Sequence, residues 1–156
     1  MIRKEFPAGL FNHRIVGVAI HEGQVLLHRK VTDDFWALPG GRAELMEPSA
    51  QTIQREFAEE LGVEVSVNRL LFVVENFFDF EGVPHHELSF YYLVTIEGTP
   101  SLFDQEREHV GIEQDVALVF RWFPVDSLEE IPLYPTFLRS ALRLLPTAIE
   151  HIVHYD

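Results

Sequence analysis

Between Gly40 and Val63 the chain reads GGRAELMEPSAQTIQREFAEELGV, a segment opened by a glycine pair and closed by a single glycine. Pro48 suits the first helical position, where its missing N–H costs nothing, and Gly62 suits the left-handed residue just past a helix end. Between them Ala50, Ile53, Phe57 and Leu61 recur at helical spacing and form one apolar stripe. The pattern predicts a helix that lays this stripe on a core. Glu56, Glu59 and Glu60 stand at i, i+3 and i+4, on a second face rotated from the first by roughly 110° at about 100° per residue. Three like charges on adjacent turns destabilise a bare helix by roughly a few tenths of a kcal/mol per pair. A hard divalent cation removes that cost, because Mg²⁺ takes carboxylate oxygens, water and phosphate oxygens as ligands. A solvated acidic face is the plainer explanation of an isolated ExxEE. Here the glycine pair, Glu47 and Arg55 stand in register with the three acids.

The chain has 156 residues, enough for one domain with a proper core. Its formal net charge of −13 argues against a nucleic-acid partner or an anionic membrane surface, both of which reward clustered Lys and Arg. A phosphate-bearing substrate would face the same repulsion unless bound metal inverted the field locally. With no cysteine there is no disulfide framework, thiolate metal site or thiol nucleophile. The N-terminal residues MIRKEFPAGLFNHR carry no apolar run of signal-peptide length, and no stretch approaches a membrane span. A cytoplasmic location is the expectation, and a homodimer stays open.

His13 to Lys30 reads as a hairpin turning at His-Glu-Gly, and Phe35 to Gly41 as a turn leading into the helix. Val63 to Phe78 is rich in β-formers, Asp79 to Pro84 reads as a turn, and His86 to Ile96 alternates Leu88, Phe90, Tyr92 and Val94 on one side. Gly98 to Asp115 reads as an acidic loop, Ala117 to Phe123 as a strand, and Tyr134 to Leu145 as a C-terminal helix stopped by Pro146. The fold class expected is α/β (α+β): a mixed sheet between helical layers, formed by residues 1–156 as one domain.

The segment from Gly41 to Val63 resembles the signature box of the Nudix hydrolases, G-x5-E-x7-REUxEExGU with U bulky and apolar. Gly41, Glu47, Arg55, Glu56, Glu59, Glu60 and Gly62 match its fixed identities, and Phe57 and Val63 occupy apolar positions. The resemblance implies an α/β/α sandwich and Mg²⁺-dependent hydrolysis of a nucleoside diphosphate linked to another moiety, with Mn²⁺ able to substitute. It assigns Glu56, Glu59 and Glu60 to metal binding, together with the backbone carbonyl of Gly40. Glu56 is one candidate for orienting or deprotonating the attacking water; a loop acid is the other. Glu47 and Arg55 are expected to support the site. Glu47 would accept from first-turn N–H groups and Arg55 would fork onto carboxylates.

Outside the box, the resemblance would place Arg29 and Arg42 near the substrate phosphates, although either could equally face solvent. Among the loop acids Glu106, Glu108, Glu113 and Asp115, we single out Glu113 as the further ligand or base. His85 and His86 are adjacent on a strand and point to opposite faces, so they make a poor chelate. Phe77, Phe78, Phe80, Phe90, Tyr91 and Tyr92 could stack a base but read mainly as sheet core. A proline near Phe78 would suggest the family's ADP-ribose branch, and a tyrosine at Phe80 the dinucleoside polyphosphate branch; neither is present. A nucleoside triphosphate, ADP-ribose or a nucleotide sugar therefore stays open as substrate. The rival classes are a catalytically weak nucleotide sensor on the same fold, usually eroded at the glutamates, and a structural cation-binding protein with loop ligands. Neither pattern occurs here.

Overall fold

The computed structural model describes residues 1–156. Nine strands form one sheet: β1 (Arg3–Phe6), β2 (Gly9–His21), β3 (Gln24–Lys30), β4 (Gly40–Arg42), β5 (Val65–Phe80), β6 (Val83–Ile96), β7 (His109–Val110), β8 (Leu118–Pro124) and β9 (Glu150–Tyr155). Helix α1 (Ser49–Leu61) follows β4, and a single turn, α2 (Leu138–Ala141), precedes β9. The strand order is β7-β8-β3-β2-β6-β5-β9, with β1 and β4 also pairing along β2. Pairs β2–β6 and β5–β9 are parallel and the other pairs antiparallel, so the sheet is mixed as expected. No helix is long and apolar enough to cross a membrane.

Two tight turns set the long hairpins. Glu22 and Gly23 (φ +48° and +76°) join β2 to β3, while Glu81 and Gly82 (φ +53° and +78°) join β5 to β6. Two consecutive positive φ values match the right-handed twist of the flanking strands, and the second falls each time on glycine. The β5–β6 turn is thus tighter than Asp79 to Pro84, and both strands run further than their β-former content suggests.

Strand alternation divides the core between the two faces. Ile15, Ala19, Leu26, Val94 and Phe120 point towards α1, where Ile53 and Phe57 of the apolar stripe are fully buried. The ring of Phe57 lies against Gly17, where an added Cβ would come within 2.6 Å of it. Val16, Val18, Val25, Leu27, Tyr91 and Val74 point the other way and meet Leu128, Leu133, Leu138 and Leu142. Two bulges in β5, at Asn68 and Leu71, reset its register so that Phe72 and Val74 join this second core.

The C-terminal segment departs from expectation. The helix predicted from Tyr134 to Leu145 is one turn long, because Leu142 and Arg143 close on long bonds of 3.3 Å, the latter only three residues back to Ser140. Phe137, Leu138 and Leu142 keep the apolar spacing as core contacts without a continuous helix. Beyond Pro146 the chain adds β9, whose residues 150–155 pair with Phe72 to Phe77. The acidic loop is also more structured than expected: Ser101–Phe103 forms a 3-10 turn and His109–Val110 forms β7.

Candidate active site at the carboxylate face of α1

The site forms where β2 changes partner. Strand β3 pairs with β2 only at residues 20 and 21, whereas β4 occupies Arg14 to Val16. Between these pairings β3 and β4 separate, and α1 lies over the opening. Gly40 and Gly41 make that packing possible for different reasons. A Cβ on Gly40 would lie 2.1 Å from the carbonyl oxygen of Ile15, so the two backbones leave no room for a side chain. A Cβ on Gly41 would lie 2.2 Å from the carboxyl carbon of Glu56, so Glu56 rests directly on the glycine.

Pro48 occupies the N-cap of α1 rather than its first turn, and its carbonyl accepts the N–H of Gln51 and Thr52. Gly62 closes the helix at φ +66° as expected, donating its N–H to Ala58. Glu47 does not cap the first-turn N–H groups. It accepts instead from the Glu44 N–H (3.0 Å), the Thr52 hydroxyl (2.9 Å) and both Nε and Nη2 of Arg55 (2.8 and 3.1 Å). The Arg55 fork holds the Glu47 carboxyl down at about 2. Arg55 also donates from Nη1 to Glu56 (2.8 Å) and Glu59 (3.2 Å), and from Nη2 to the Arg42 carbonyl (3.3 Å). One guanidinium therefore ties the entry to the helix, two of its three acids and β4 into a single network.

Glu60 is outside that network. Its side chain is 8% exposed, against 51% for Glu59, and it has no cationic partner within bonding distance. Burial, reinforced by the charge of Glu56, pushes its carboxyl up to about 8. Burial also raises Glu56, opposed by its bonds to Arg55. The acidic loop reaches the same place: the Ile112 N–H donates to the Glu60 carbonyl at 2.8 Å, and the charge of the next residue, Glu113, adds to the pressure on Glu60.

Two residues that the sequence reading passed over join this cluster. His28 on β3 is buried, with Nδ1 at 3.9 Å from Glu60 Oε2; burial and the charge of Arg14 hold its ring neutral, down to about 3. Arg14 on β2 makes no ion pair and donates only a long bond to the Leu38 carbonyl (3.3 Å), yet its charge bears on both Glu56 and Glu60. Both occupy strand positions that read as alternating core. Only the register of β2 against β4 and the approach of α1 single them out.

The two predicted arginines part company. Arg29 donates to the carbonyls of Lys30, Val31 and Asp33 and lies over the ring of Trp36, which commits it to its own loop. Arg42 stands opposite Arg14 across β4 and β2, with its Nε buried and unpartnered, and burial and the charges of Arg14 and Arg3 lower its pKa. His85 stacks on Phe78 and His86 packs on Phe77 and Phe11, so the pair is divided between the faces as anticipated. A concavity of about 640 Å³, lined by Phe6, Phe11, Phe77, His86 and Tyr155 among others, lies at the far end of the sheet and contains none of the box acids.

No three acidic or imidazole side chains converge tightly enough to make a complete chelate, since Arg55 draws Glu56 and Glu59 aside. The donor chemistry nonetheless fits a hard divalent ion. Glu60 and Glu56, with Glu113 near enough for its charge to bear on Glu60, bring three carboxyls to one partly buried spot where only Glu56 has a cationic partner, and the orphaned Nδ1 of His28 faces Glu60.

Residues 11–145 match the family model described as NUDIX domain, and the chain belongs to that family. It is 34% identical over 120 residues, 76% of its length, to a Bacillus subtilis (strain 168) protein named "Putative ADP-ribose pyrophosphatase YjhB", of which it covers 52%. It is also 38% identical over 63 residues to a MutT-like protein of Streptomyces ambofaciens, covering 40% of this chain and 41% of that one. The chain thus spans about half the length, or less, of the curated relatives it matches. The crystal structure of a MutT NUDIX hydrolase from Burkholderia pseudomallei superposes with a TM-score of 0.65 at 26% identity, over 85% of this chain and 96% of that one.

Proposed function

We propose that this chain hydrolyses a pyrophosphate bond in a nucleoside diphosphate linked to another moiety, using Mg²⁺ or Mn²⁺ held on the carboxylate face of α1. The observation that carries the reading is the unpaired, buried Glu60 beside Glu56 and Glu113, with the charge of the unpaired Arg14 bearing on Glu60 and Glu56. Burying carboxylates together without a cation is costly, and a divalent ion removes the cost. When bound, such an ion would lower the pKa of a bound water and offset charge on the leaving group.

Glu60 and Glu56 would be its principal ligands, with Glu59 and the Gly40 carbonyl completing the set. Arg55 positions Glu56 and Glu59, and Glu47 in turn positions Arg55. Arg14 and Arg42 would take the phosphates, because their guanidinium groups have no carboxylate partner. Arg29 is the weaker candidate, being engaged by its own loop. The water oxygen attacks phosphorus, the anhydride P–O bond breaks, and the water proton passes to Glu56 or Glu113. The choice of ADP-ribose, a nucleoside triphosphate or a nucleotide sugar would be made by groups outside the box, and the name of the Bacillus relative puts ADP-ribose first in the panel. A nucleotide sensor is disfavoured because every acid of the box is in place.

The test is a panel of ADP-ribose, nucleoside triphosphates and nucleotide sugars with Mg²⁺ or Mn²⁺, the products resolved by chromatography. The proposal expects cleavage that stops in excess EDTA and in Glu60→Gln. Tight nucleotide binding with no cleavage of any member would instead mark a sensor.

A further inference from the structure

We propose that His28 donates its Nδ1 to the same ion as Glu60, giving this site a mixed carboxylate–imidazole donor set that favours Mn²⁺ over Mg²⁺. The inference rests on the reading of α1 as a metal-binding face and adds a ligand from β3 to it. His28 is 8% exposed, and its Nδ1 is buried with no hydrogen-bond partner. An unpaired buried polar atom costs about 1–3 kcal/mol, so its retention calls for a partner that is not protein. The other unpaired buried atoms are Oδ1 of Asn12 and Asn76 and Nε of Arg42; Nδ1 of His28 lies 3.9 Å from a box carboxylate.

The spacing fits shared coordination better than a hydrogen bond. At 3.9 Å, Nδ1 and Glu60 Oε2 are too far apart to bond to each other. With metal–ligand bonds of about 2.1 Å, two ligands of one octahedral ion stand about 3.0 Å apart when adjacent and about 4.2 Å when opposite. The observed separation lies between these limits, so a small rotation of either side chain brings both onto one ion. The strand that carries the ring is held in place by main-chain hydrogen bonds. The His28 N–H donates to the Ala37 carbonyl (2.8 Å) and its carbonyl accepts from Ala37 (2.9 Å), while the strand pairs it with Phe120, whose ring lies 5.4 Å away. Imidazole is a poor ligand for Mg²⁺, which keeps to oxygen, and is accepted more readily by first-row transition-metal ions, of which Mn²⁺ binds it least strongly but still better than Mg²⁺ does.

The experiment measures Mn²⁺ and Mg²⁺ affinities by calorimetry on the full chain. It is paired with pulsed EPR of the Mn²⁺-loaded protein, which detects a directly bound nitrogen. Wild type should show nitrogen coupling. His28→Phe, which keeps a ring against Phe120, should lose that coupling and reduce the Mn²⁺/Mg²⁺ affinity ratio by about tenfold. His28→Gln, which offers an oxygen, should also lose the coupling while holding Mg²⁺ at least as well as wild type. Absence of nitrogen coupling in wild type, its persistence in His28→Phe, or an unchanged affinity ratio overturns the assignment. Unchanged Mn²⁺ affinity in Glu60→Gln would instead overturn the underlying reading of α1 as the metal-binding face.

Discussion

At the entrance to α1, Glu47 is surrounded by donors: the Arg55 fork, the Thr52 hydroxyl and a backbone N–H hold its carboxyl at about 2. Three turns along, Glu60 is more deeply buried and has no donor in place, and its carboxyl is pushed to about 8. The two acids belong to one segment, and the difference between them separates the parts of the site. The Glu47–Arg55 network is complete within the protein and builds the scaffold. The Glu60 end is incomplete within the protein and waits for charge from outside. In the proposed function, stability is given up at the end of the helix where metal would bind and secured at the other.

The largest expected effect comes from neutralising the incomplete end. Glu60→Gln should lower turnover by about three orders of magnitude, as loss of a metal ligand would. It should also raise the melting temperature of the metal-free protein at pH 8, by roughly 4–8 °C for about 2 kcal/mol. A raised carboxyl pKa gives stability that is complete below its unfolded value of 4.5 and is lost as pH rises through about 8. The metal-free wild type should therefore weaken from pH 5 to 8 and Glu60→Gln should not. Thermal melts across that range decide between a strained acid and an accommodated one.

The glycine pair sharpens the comparison. Gly41→Ala meets only the end of the Glu56 side chain, so Glu56 moves and the backbone stays; turnover should fall roughly 10–100-fold with little change in melting. Gly40→Ala meets the Ile15 carbonyl and should instead destabilise the fold by about 1–3 kcal/mol. Activity and melting of the two variants, measured side by side, test whether the sheet and the acid are held separately.

Smaller effects are expected at the complete end. Arg55→Lys provides a point charge in place of a fork, so it cannot serve Glu47, Glu56 and Glu59 together. Stability should fall by about 1–3 kcal/mol and turnover by about tenfold, part of the latter recovered at high metal concentration. Glu47→Gln should show its effect in the acid limb. The Glu47 contribution is present above 4.5 and is lost as pH falls through about 2, so the variant's deficit in denaturant midpoint should shrink towards low pH. Abolished turnover in Glu47→Gln at an unchanged melting temperature would place Glu47 in the chemistry instead.

Much of this comparison was legible in the sequence because it is local. Gly62 marked the end of α1, the i, i+3, i+4 acids marked its second face, His-Glu-Gly marked the first hairpin and Asp79 to Pro84 the turn of the second. The partners of Glu47 were half legible: Arg55 was expected and forks onto it, whereas the first-turn N–H groups, expected because a carboxylate beside a helix start suggests capping, are not its partners. His28 and Arg14 were hidden because their roles depend on long-range register, and a strand position shows only its alternation. The short α2 and the added β9 share a cause. Leu138 and Leu142 satisfy a helical spacing that the core uses without a helix, and Ile152, Val153 and Tyr155 find their parallel partner only across the sheet in β5.

The most direct test of the central claim is the melting temperature at pH 8 as a function of Mg²⁺ or Mn²⁺, in wild type and Glu60→Gln. Wild type should rise with metal as mass action requires, by about 2.7 kcal/mol at one hundred times the dissociation constant. Glu60→Gln should start higher and respond weakly. An equal rise in both proteins, or no rise in wild type, would contradict the account.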